Sequence, residues 1–406
     1  MTQGPALLPG PLAGLRILSV EQYGAGPWAS MYLADMGAEV IKIEDPNGGD
    51  FARASGPHML GDNDSQFFQT FNLGKKSLAL DIRRPEGLSV LRRLCVGIAA
   101  VLNNLRGDMP DRLGLTYDAL KDVNPGLVCL HLSGYGRTGP RAAWPAFDYL
   151  MQAEAGFMHL TGEPGVPPTR MGLSVVDYMT GMTAAFALTA AMLGAARTGQ
   201  GRDVDVTLYD VAIHQLSYPA TWYLNEGDAT ARRPRAGHPA VVPCEVFPTA
   251  DGHVFLMCVL PKFWEALCAL VGLPGLPGDA RFATPRARFE NRDALAEVLD
   301  VALKAHPTAH WMGLFAGRVP AAPVLTLPQA LDNPYLAATG GIAAPGHPLR
   351  PGFRTLASPI RLDGARPAAR TAPGLGADTG AVLEAAGFSA SEIAALADTG
   401  VIGGVT

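Results

Sequence analysis

Asp177 stands at the entrance of a stretch, Thr180 to Ala196, that carries no charge and is rich in Ala, Leu, Met and Thr. That composition predicts a helix buried on most sides. A carboxylate at such an entrance can face a cleft, and the positive end of the helix dipole would favour its ionised form. An ionised, partly desolvated aspartate is a usable nucleophile. Aspartate is equally a preferred N-cap residue, so the local pattern leaves covalent chemistry and plain capping both open. Met179 to Ala196 is also an 18-residue run without a charge, the length of a membrane span, but its Ala, Gly and Thr leave it only weakly apolar.

A second motif is Gly24-Ala25-Gly26-Pro27-Trp28-Ala29, a G-x-G-x-x-A placed after one strand and before a helix, with Glu44 closing the next strand. This is close to the dinucleotide fingerprint. Pro27, however, removes a backbone donor that a pyrophosphate at the helix start would use. Basic residues at loop positions form a third group: Arg53, Lys75, Lys76, Arg83, Arg84, Arg106, Arg112 and Arg137. Each alone reads as solvated surface, while Lys75, Lys76, Arg83 and Arg84 flank one short strand and could gather around a phosphate. His306 and His310 have the spacing of a metal pair, but no HExxH pattern completes it and a proline follows His306. No metal is expected, and without a GxSxG elbow a serine hydrolase of that type is unsupported.

The elements that must position these residues alternate in type. Strand Leu15–Val20, a glycine turn, helix Trp28–Met36 and strand Glu39–Ile43 form a βαβ unit, which implies a parallel sheet. The alternation continues with strand Ser77–Leu80, helix Pro85–Leu94, strand Ala99–Leu102, a helix from about Asp111 to Asp122 and strand Leu127–Leu132. A glycine- and proline-punctuated loop follows Gly134 and runs into a helix at about Phe147. After the Asp177 helix come strand Asp203–Leu208 and a helix from Asp210 to about Leu224. Glu226 to Pro243 is polar and broken by prolines, as a domain linker would be. Beyond it lie a hairpin over Cys244–Val259 and helices at Lys262–Val271, Arg292–Ala305 and Thr308–Gly317. The tail, Pro345 to Gly376, is loop-rich with a short strand near Ile360, and two short helices, about Asp378–Ala386 and Ser389–Leu396, end the chain.

Composition bounds these readings. The 406 residues are 48% apolar, with a mean hydropathy of +0.14, enough for a real core and two or three domains. A net charge of -5 and a pI near 6.0 argue against a nucleic-acid surface. The five cysteines are odd in number, widely spaced and without a CxxC, as in a reduced cytoplasmic protein. The first residues, MTQGPALLPGPLAG, show no basic n-region and no cleavage pattern of a signal peptide.

Taken in order along nearly the whole chain, the segments SVEQYGAGPWASMYLADMGAEVIKIEDPNGGDFAR, FNLGKKSLALDIRRPEG, DRLGLTYDAL, LSGYGRTGP, FDYLMQAEAGFMHLTGEPGVPPTRMGLSVVDYMTGM, GHPAVVPCEVFPTADG and AAGFSASEIAALADTGVI resemble the family III CoA-transferases. That family includes formyl-CoA transferase, carnitine CoA-transferase and the α-methylacyl-CoA racemases. The resemblance implies an α/β fold: a Rossmann-like large domain with a parallel sheet over residues 1–225, a linker and smaller α+β domain over 226–330, and a segment 331–406 returning to the large domain. It also implies an interlocked homodimer with no tightly bound cofactor, taking acyl-CoA and a carboxylic acid as substrates, without nucleic-acid or membrane partners.

Asp177 falls on the family's nucleophile in the pattern GxSxxDxxxG, and Asp148 is a candidate supporting carboxylate near it. CoA contacts carried over by position are Gly24 and Ala25, Leu80, Asp81, Ile82 and Arg83, Asn104, Leu105 and Arg106, Arg112, and Trp144, Pro145, Ala146 and Phe147. Gly24 replaces a glutamine of formyl-CoA transferase, Asp45 an arginine and Pro145 a lysine, and the glycine-rich lid of those enzymes is represented by the shorter RAGHPA, Arg235 to Ala240. The racemase branch uses a GHD histidine and an IEPQF glutamate. Here those motifs read Ala146-Phe147-Asp148 and Val259-Leu260-Pro261-Lys262-Phe263, so Phe147 and Leu260 stand where acid/base residues would. The expected activity is therefore acyl-CoA:carboxylate CoA transfer. A racemase or epimerase, a nicotinamide-dependent dehydrogenase resting on the glycine turn, and a non-catalytic CoA-binding protein are the alternatives.

Overall fold

The computed structural model describes residues 10–405. The reading of the first nine residues lies outside them. Two compact units emerge: one gathers Met1–Ala155, Gly172–Leu216 and Tyr335–Thr406, the other Gly156–Met171 and Ser217–Pro334. The second unit thus starts earlier than the composition of the linker suggested, and it takes in a separate stretch upstream of the Asp177 helix.

The first unit is built on a six-stranded sheet in which every pairing is parallel. Its strands are β1 (Arg16–Val20), β2 (Glu39–Glu44), β3 (Lys76–Ala79), β4 (Ala100–Asn103), β5 (Val128–Ser133) and β6 (Arg202–Thr207), in the order β3-β2-β1-β4-β5-β6. The chain runs outward from β1 in both directions, so the sheet has its switch point between β1 and β4, where a crevice opens beyond the carboxyl ends of the strands. Neighbouring strand residues such as Ile17 and Leu18 are both fully buried. Both faces are covered, which is why these strands read as apolar runs rather than alternations.

Helix α1 (Ala25–Asp35) follows β1, α2 (Pro85–Leu94) follows β3, and α3 (Asp148–Glu154) follows the loop after β5. Helix α4, Val175–Thr198, is longer than its sequence suggested and begins before Asp177, which lies in its first turn, with Ser174 at the N-cap. It is not buried on most sides. Val176, Asp177, Thr180, Gly181, Ala184, Leu188, Met192 and Ala195 form one buried stripe at helical spacing. Met182, Phe186 and Leu193 stand out on the other side, with Phe186 76% exposed. Gly181 allows the close approach to α1, since a β-carbon there would come within 2.7 Å of the Ala25 carbonyl and 3.0 Å of the Trp28 ring.

Two expected helices are broken. The segment after Arg106 forms single turns at Met109–Arg112 and Tyr117–Leu120, and the helix after β6 divides into Leu208–His214 and Ser217–Glu226, with Ser217 left-handed at φ 51°. In the tail, the short strand is Thr355–Leu356, paired with Ile342–Ala343 rather than formed near Ile360. The final helices, Thr379–Ala385 and Ala390–Asp398, add Val382, Leu383 and Ile393 to the core that holds Leu18, Ile41, Leu78 and Val101. In the second unit the hairpin Cys244–Pro248 and His253–Met257 gains a third strand, Ala321–Pro323, and packs Phe247, Val254 and Leu256 with Trp264, Leu299 and Phe315.

Beside the carboxyl end of β2 lies a set of buried ion pairs. Arg53 donates to both oxygens of Glu44 at 2.7 Å, with both side chains fully buried. Lys42 meets Asp50 at 2.9 Å and Lys75 meets Glu21 at 2.8 Å. Burial opposes ionisation of Glu44, but Arg53 and Lys42 more than offset it and hold its carboxyl below the usual carboxylate range. Removing one partner of such a pair leaves an uncompensated buried charge. Arg53→Met is expected to cost about 3–5 kcal/mol in chemical denaturation, whereas Arg281→Met, whose pair with Asp279 is largely exposed, is expected to cost under about 1 kcal/mol.

Candidate active site

A cavity of about 300 Å³ opens beyond the carboxyl ends of β1, β4, β5 and β6. It is lined by Tyr23, Gly24 and Ala25 after β1, Asn104 to Arg106 after β4, Ser133 and Gly134 at the end of β5, and Leu208 after β6, with Phe51 and the loop Trp144 to Phe147 at its mouth. Asp177 borders it from the first turn of α4 and is 8% exposed. The glycine turn presses directly on this carboxylate: a β-carbon at Gly24 would overlap Oδ2 of Asp177. Position 24 has room for hydrogen and for nothing larger unless Asp177 moves.

Three backbone groups of the turn before Gly24 are held. Asn104 accepts from the Gln22 N–H at 2.8 Å and donates to the Gln22 carbonyl at 2.7 Å. The Tyr23 N–H donates to Asp50, 3.2 Å from either oxygen. The Trp28 N–H closes onto the Gly24 carbonyl at 2.9 Å. Tyr23 is left-handed at φ 68°, an unusual backbone for a bulky residue. Phe51 stacks on its ring and Phe67 tilts against it, each with centroids 4.8 Å away.

Asp148, first residue of α3 and 4% exposed, accepts from the Asp177 backbone N–H at 3.0 Å and from Gln152 Nε2 at 2.6 Å. Its carboxylate therefore serves an N–H of the first turn of α4 that no preceding helical carbonyl can reach. Burial first, and the charge of Asp148 second, push the Asp177 carboxyl from 3.8 up to about 7. The sequence suggested that the helix start would keep this group ionised. Desolvation and a like charge outweigh the dipole here.

The residues singled out for CoA divide between two cavities. Gly24, Ala25, Asn104, Leu105, Arg106, Trp144, Pro145, Ala146 and Phe147 line the first. Leu80, Asp81, Ile82 and Arg83 line a second, of about 180 Å³, which shares Gln22 and Leu105 with the first. Arg112 lines neither and faces Asp108 at 3.6 Å. Asn104 reaches the first cavity, but its amide is spent on the Gln22 backbone. Arg106 is paired with Asp108, and Arg83 with Asp81 and with Asp45 at 2.7 Å each. The expected phosphate cluster around β3 does not form. Lys75 is buried against Glu21, where desolvation pushes it down to about 8, Lys76 turns to Glu39, and Arg84 to Glu86. Arg53 is likewise internal. Sequence reasoning passed over Tyr23 and Phe51, although a tyrosine beside Gly24 in a turn that must go left-handed was a signal in itself.

The sequence matches the model of the family described as CoA-transferase family III over residues 12–379. It is 35% identical over 364 residues to a succinate–glutarate CoA-transferase of Agrobacterium fabrum, covering 87% of this chain and 90% of that protein. It is also 35% identical over 355 residues to an acetyl-CoA:oxalate CoA-transferase of Acetobacter aceti, covering 85% of this chain and 90% of that one. Among solved structures, a CaiB/BaiF family protein from Brucella suis superposes with a TM-score of 0.80 at 32% identity, over 93% of this chain and all of the other. With a parallel α/β sheet, a cleft at its switch point and these relatives along most of its length, the chain belongs to the family III CoA-transferases.

Proposed function

We propose that this CoA-transferase moves CoA between carboxylic acids by covalent catalysis on Asp177. The observation that carries the reading is the position of that carboxylate, buried on the first turn of α4, bordering the cavity and pressed by Gly24. In the first step an Asp177 oxygen attacks the thioester carbonyl of acyl-CoA. The C–S bond breaks, leaving an acyl-aspartyl anhydride and CoA thiolate. The thiolate then attacks the aspartyl carbonyl and expels the donor carboxylate, which gives an aspartyl-CoA thioester. An acceptor carboxylate attacks that thioester and releases the thiolate, forming a second anhydride. Attack of the thiolate on the acceptor's acyl carbon produces the new acyl-CoA and frees Asp177. No proton is consumed, and the thioester bond energy is kept as long as water stays out.

The residues around the two cavities, which share Gln22 and Leu105, support CoA as the shared substrate, with the loop Trp144 to Phe147 and Leu80 to Arg83 along its course. The named relatives act on succinate, glutarate, acetyl-CoA and oxalate, which makes succinyl-CoA and acetyl-CoA the first donors to try. The outward apolar face of α4, with Met182 55%, Phe186 76% and Leu193 53% exposed, supports a homodimer. All five cysteines are free and buried, which supports action in the cytoplasm.

Incubation with succinyl-CoA or acetyl-CoA, quenching with hydroxylamine and peptide mass spectrometry are expected to yield a hydroxamate on Asp177. Intact CoA binding with no adduct from either donor sinks the covalent route. The first half-reaction is expected to rise with pH to a plateau above about 7, because the attacking carboxylate must be ionised. Stability should run the other way. The folded state keeps the Asp177 proton between about pH 4 and pH 7 while the unfolded chain has lost it, so stability falls across that window and is flat above it. Asp177→Asn removes that fall, about 3 kcal/mol between pH 4.5 and 8, in urea titrations at those two values; equal pH dependence in the two proteins contradicts the raised pKa. Light scattering is expected to give twice the 42.6 kDa chain mass, and Phe186→Glu is expected to shift it toward the single-chain value.

A further inference from the structure

Tyr23 holds a backbone conformation that a glycine would adopt freely. At φ 68° it sits in the left-handed region, where a β-carbon and a bulky ring are unfavourable. The strain persists because the surroundings over-determine it: Asn104 holds Gln22 on both sides, and Asp50, itself neutralised by buried Lys42 at 2.9 Å, takes the Tyr23 N–H. An outlier of this kind beside a reacting carboxylate raises the question of what the side chain contributes there.

Its ring lines the same cavity as Asp177. Phe51 and Phe67 lie against it, the first nearly coplanar at 13° and the second tilted by 31°. With two aromatic rings packed against it, the polar group that the side chain has to offer the cavity is its hydroxyl. The hydroxyl makes no hydrogen bond among the described residues, whereas the cation on the cavity wall, Arg106, is already paired with Asp108 at 2.9 Å. Burial, together with Tyr149 and Asp177 nearby, raises the Tyr23 phenol above its ordinary value, so it remains a proton donor at neutral pH.

We propose that Tyr23 is the specificity-determining residue of this site: its hydroxyl donates a hydrogen bond to an oxygen carried on the acyl chain beyond the reacting carbonyl. The site then favours acyl groups bearing a second carboxylate, hydroxyl or keto oxygen over plain alkyl acyl groups of the same length. The assignment rests on the reading of Asp177 as the group that meets the acyl-CoA. Discrimination follows because a donor fixed in a partly buried wall is left unpaired by a substrate that lacks the oxygen.

Succinyl-CoA and butyryl-CoA, alike in chain length and different at the far end, form the test pair, and Tyr23→Phe deletes the hydroxyl while keeping the ring between its neighbours. Tyr23→Phe is expected to lower the ratio of kcat/KM for succinyl-CoA over butyryl-CoA by about 10-fold or more, through the succinyl-CoA value alone. The affinity for free CoA is expected to be unchanged. A structural role in holding the turn would slow both donors alike, and an unchanged ratio overturns the assignment. Calorimetry on Asp177→Ala and on Asp177→Ala with Tyr23→Phe reads the same discrimination without turnover, as the ratio of the two Kd values. If the hydroxamate on Asp177 fails to form but this ratio still falls, the covalent route is wrong and the Tyr23 assignment stands. If the hydroxamate forms and both ratios are unmoved, the Tyr23 assignment alone is wrong.

Discussion

The turn at the candidate active site depends on charges that never reach water. Glu21, Lys42, Glu44, Asp50, Arg53 and Lys75 are all buried, three acids against three bases. Such an arrangement is costly to desolvate and tolerable only when every charge is matched and hydrogen-bonded. Every charge here has an opposite partner across the ends of β1, β2 and β3, with Glu21 Oε2 the one carboxylate oxygen of the set left without a hydrogen bond, and Asp50 hands the constraint to the Tyr23 backbone. Through that carboxylate and Asn104 the end of the sheet fixes the Gln22–Gly24 turn, and the turn fixes how closely the backbone lies on Asp177. A surface loop of the same sequence would have no reason to hold a tyrosine left-handed.

The second constraint comes from the other side. Asp177 belongs to α4, whose buried stripe seats it on α1 through the close approach at Gly181, while α3 supplies Asp148. Two helices and a turn thus converge on one carboxyl group and strip it of water, and its affinity for protons rises as a result. For the proposed nucleophile, which must be charged to attack, this is a trade between reactivity and occupancy: a desolvated carboxylate is more nucleophilic, but a smaller fraction of molecules carries it at neutral pH.

Much of this was legible in the residues. The alternation of apolar runs and helical segments specified a parallel α/β sheet because parallel strands are buried on both faces and carry a continuous apolar signal. Gly24 and Asp177, which meet at the cavity, stood out as candidate positions, one by its turn and one by the uncharged helix behind it. Other features were not visible, for physical reasons. Whether a lysine lies on the surface or in a buried pair depends on what the fold places opposite it, and Lys75 reads the same in either case. The exposed face of α4 was hidden because alanine and methionine suit the core and an interface equally well. The breaks at Ser217 and around Gly114 did carry local signals that went unread: Pro219 follows the first by two residues, and Gly114 is left-handed at φ 62°.

The returning tail has a consequence for how the chain is made. Ser77 and Ala79 on β3 are held by Asp378 and Thr379, some 300 residues later, and Val382, Leu383, Val401 and Ile402 complete the apolar layer over Ile41, Leu78 and Leu80. During synthesis at about 5–20 residues per second, that face of the sheet leaves the ribosome roughly 15–60 s before its cover exists. The edge strand β3 stays unprotected for the same interval. Until those residues are made, the nascent large unit exposes an apolar face and an open strand edge, so a chain cut before Asp378 would leave that layer uncovered rather than merely lose a surface helix.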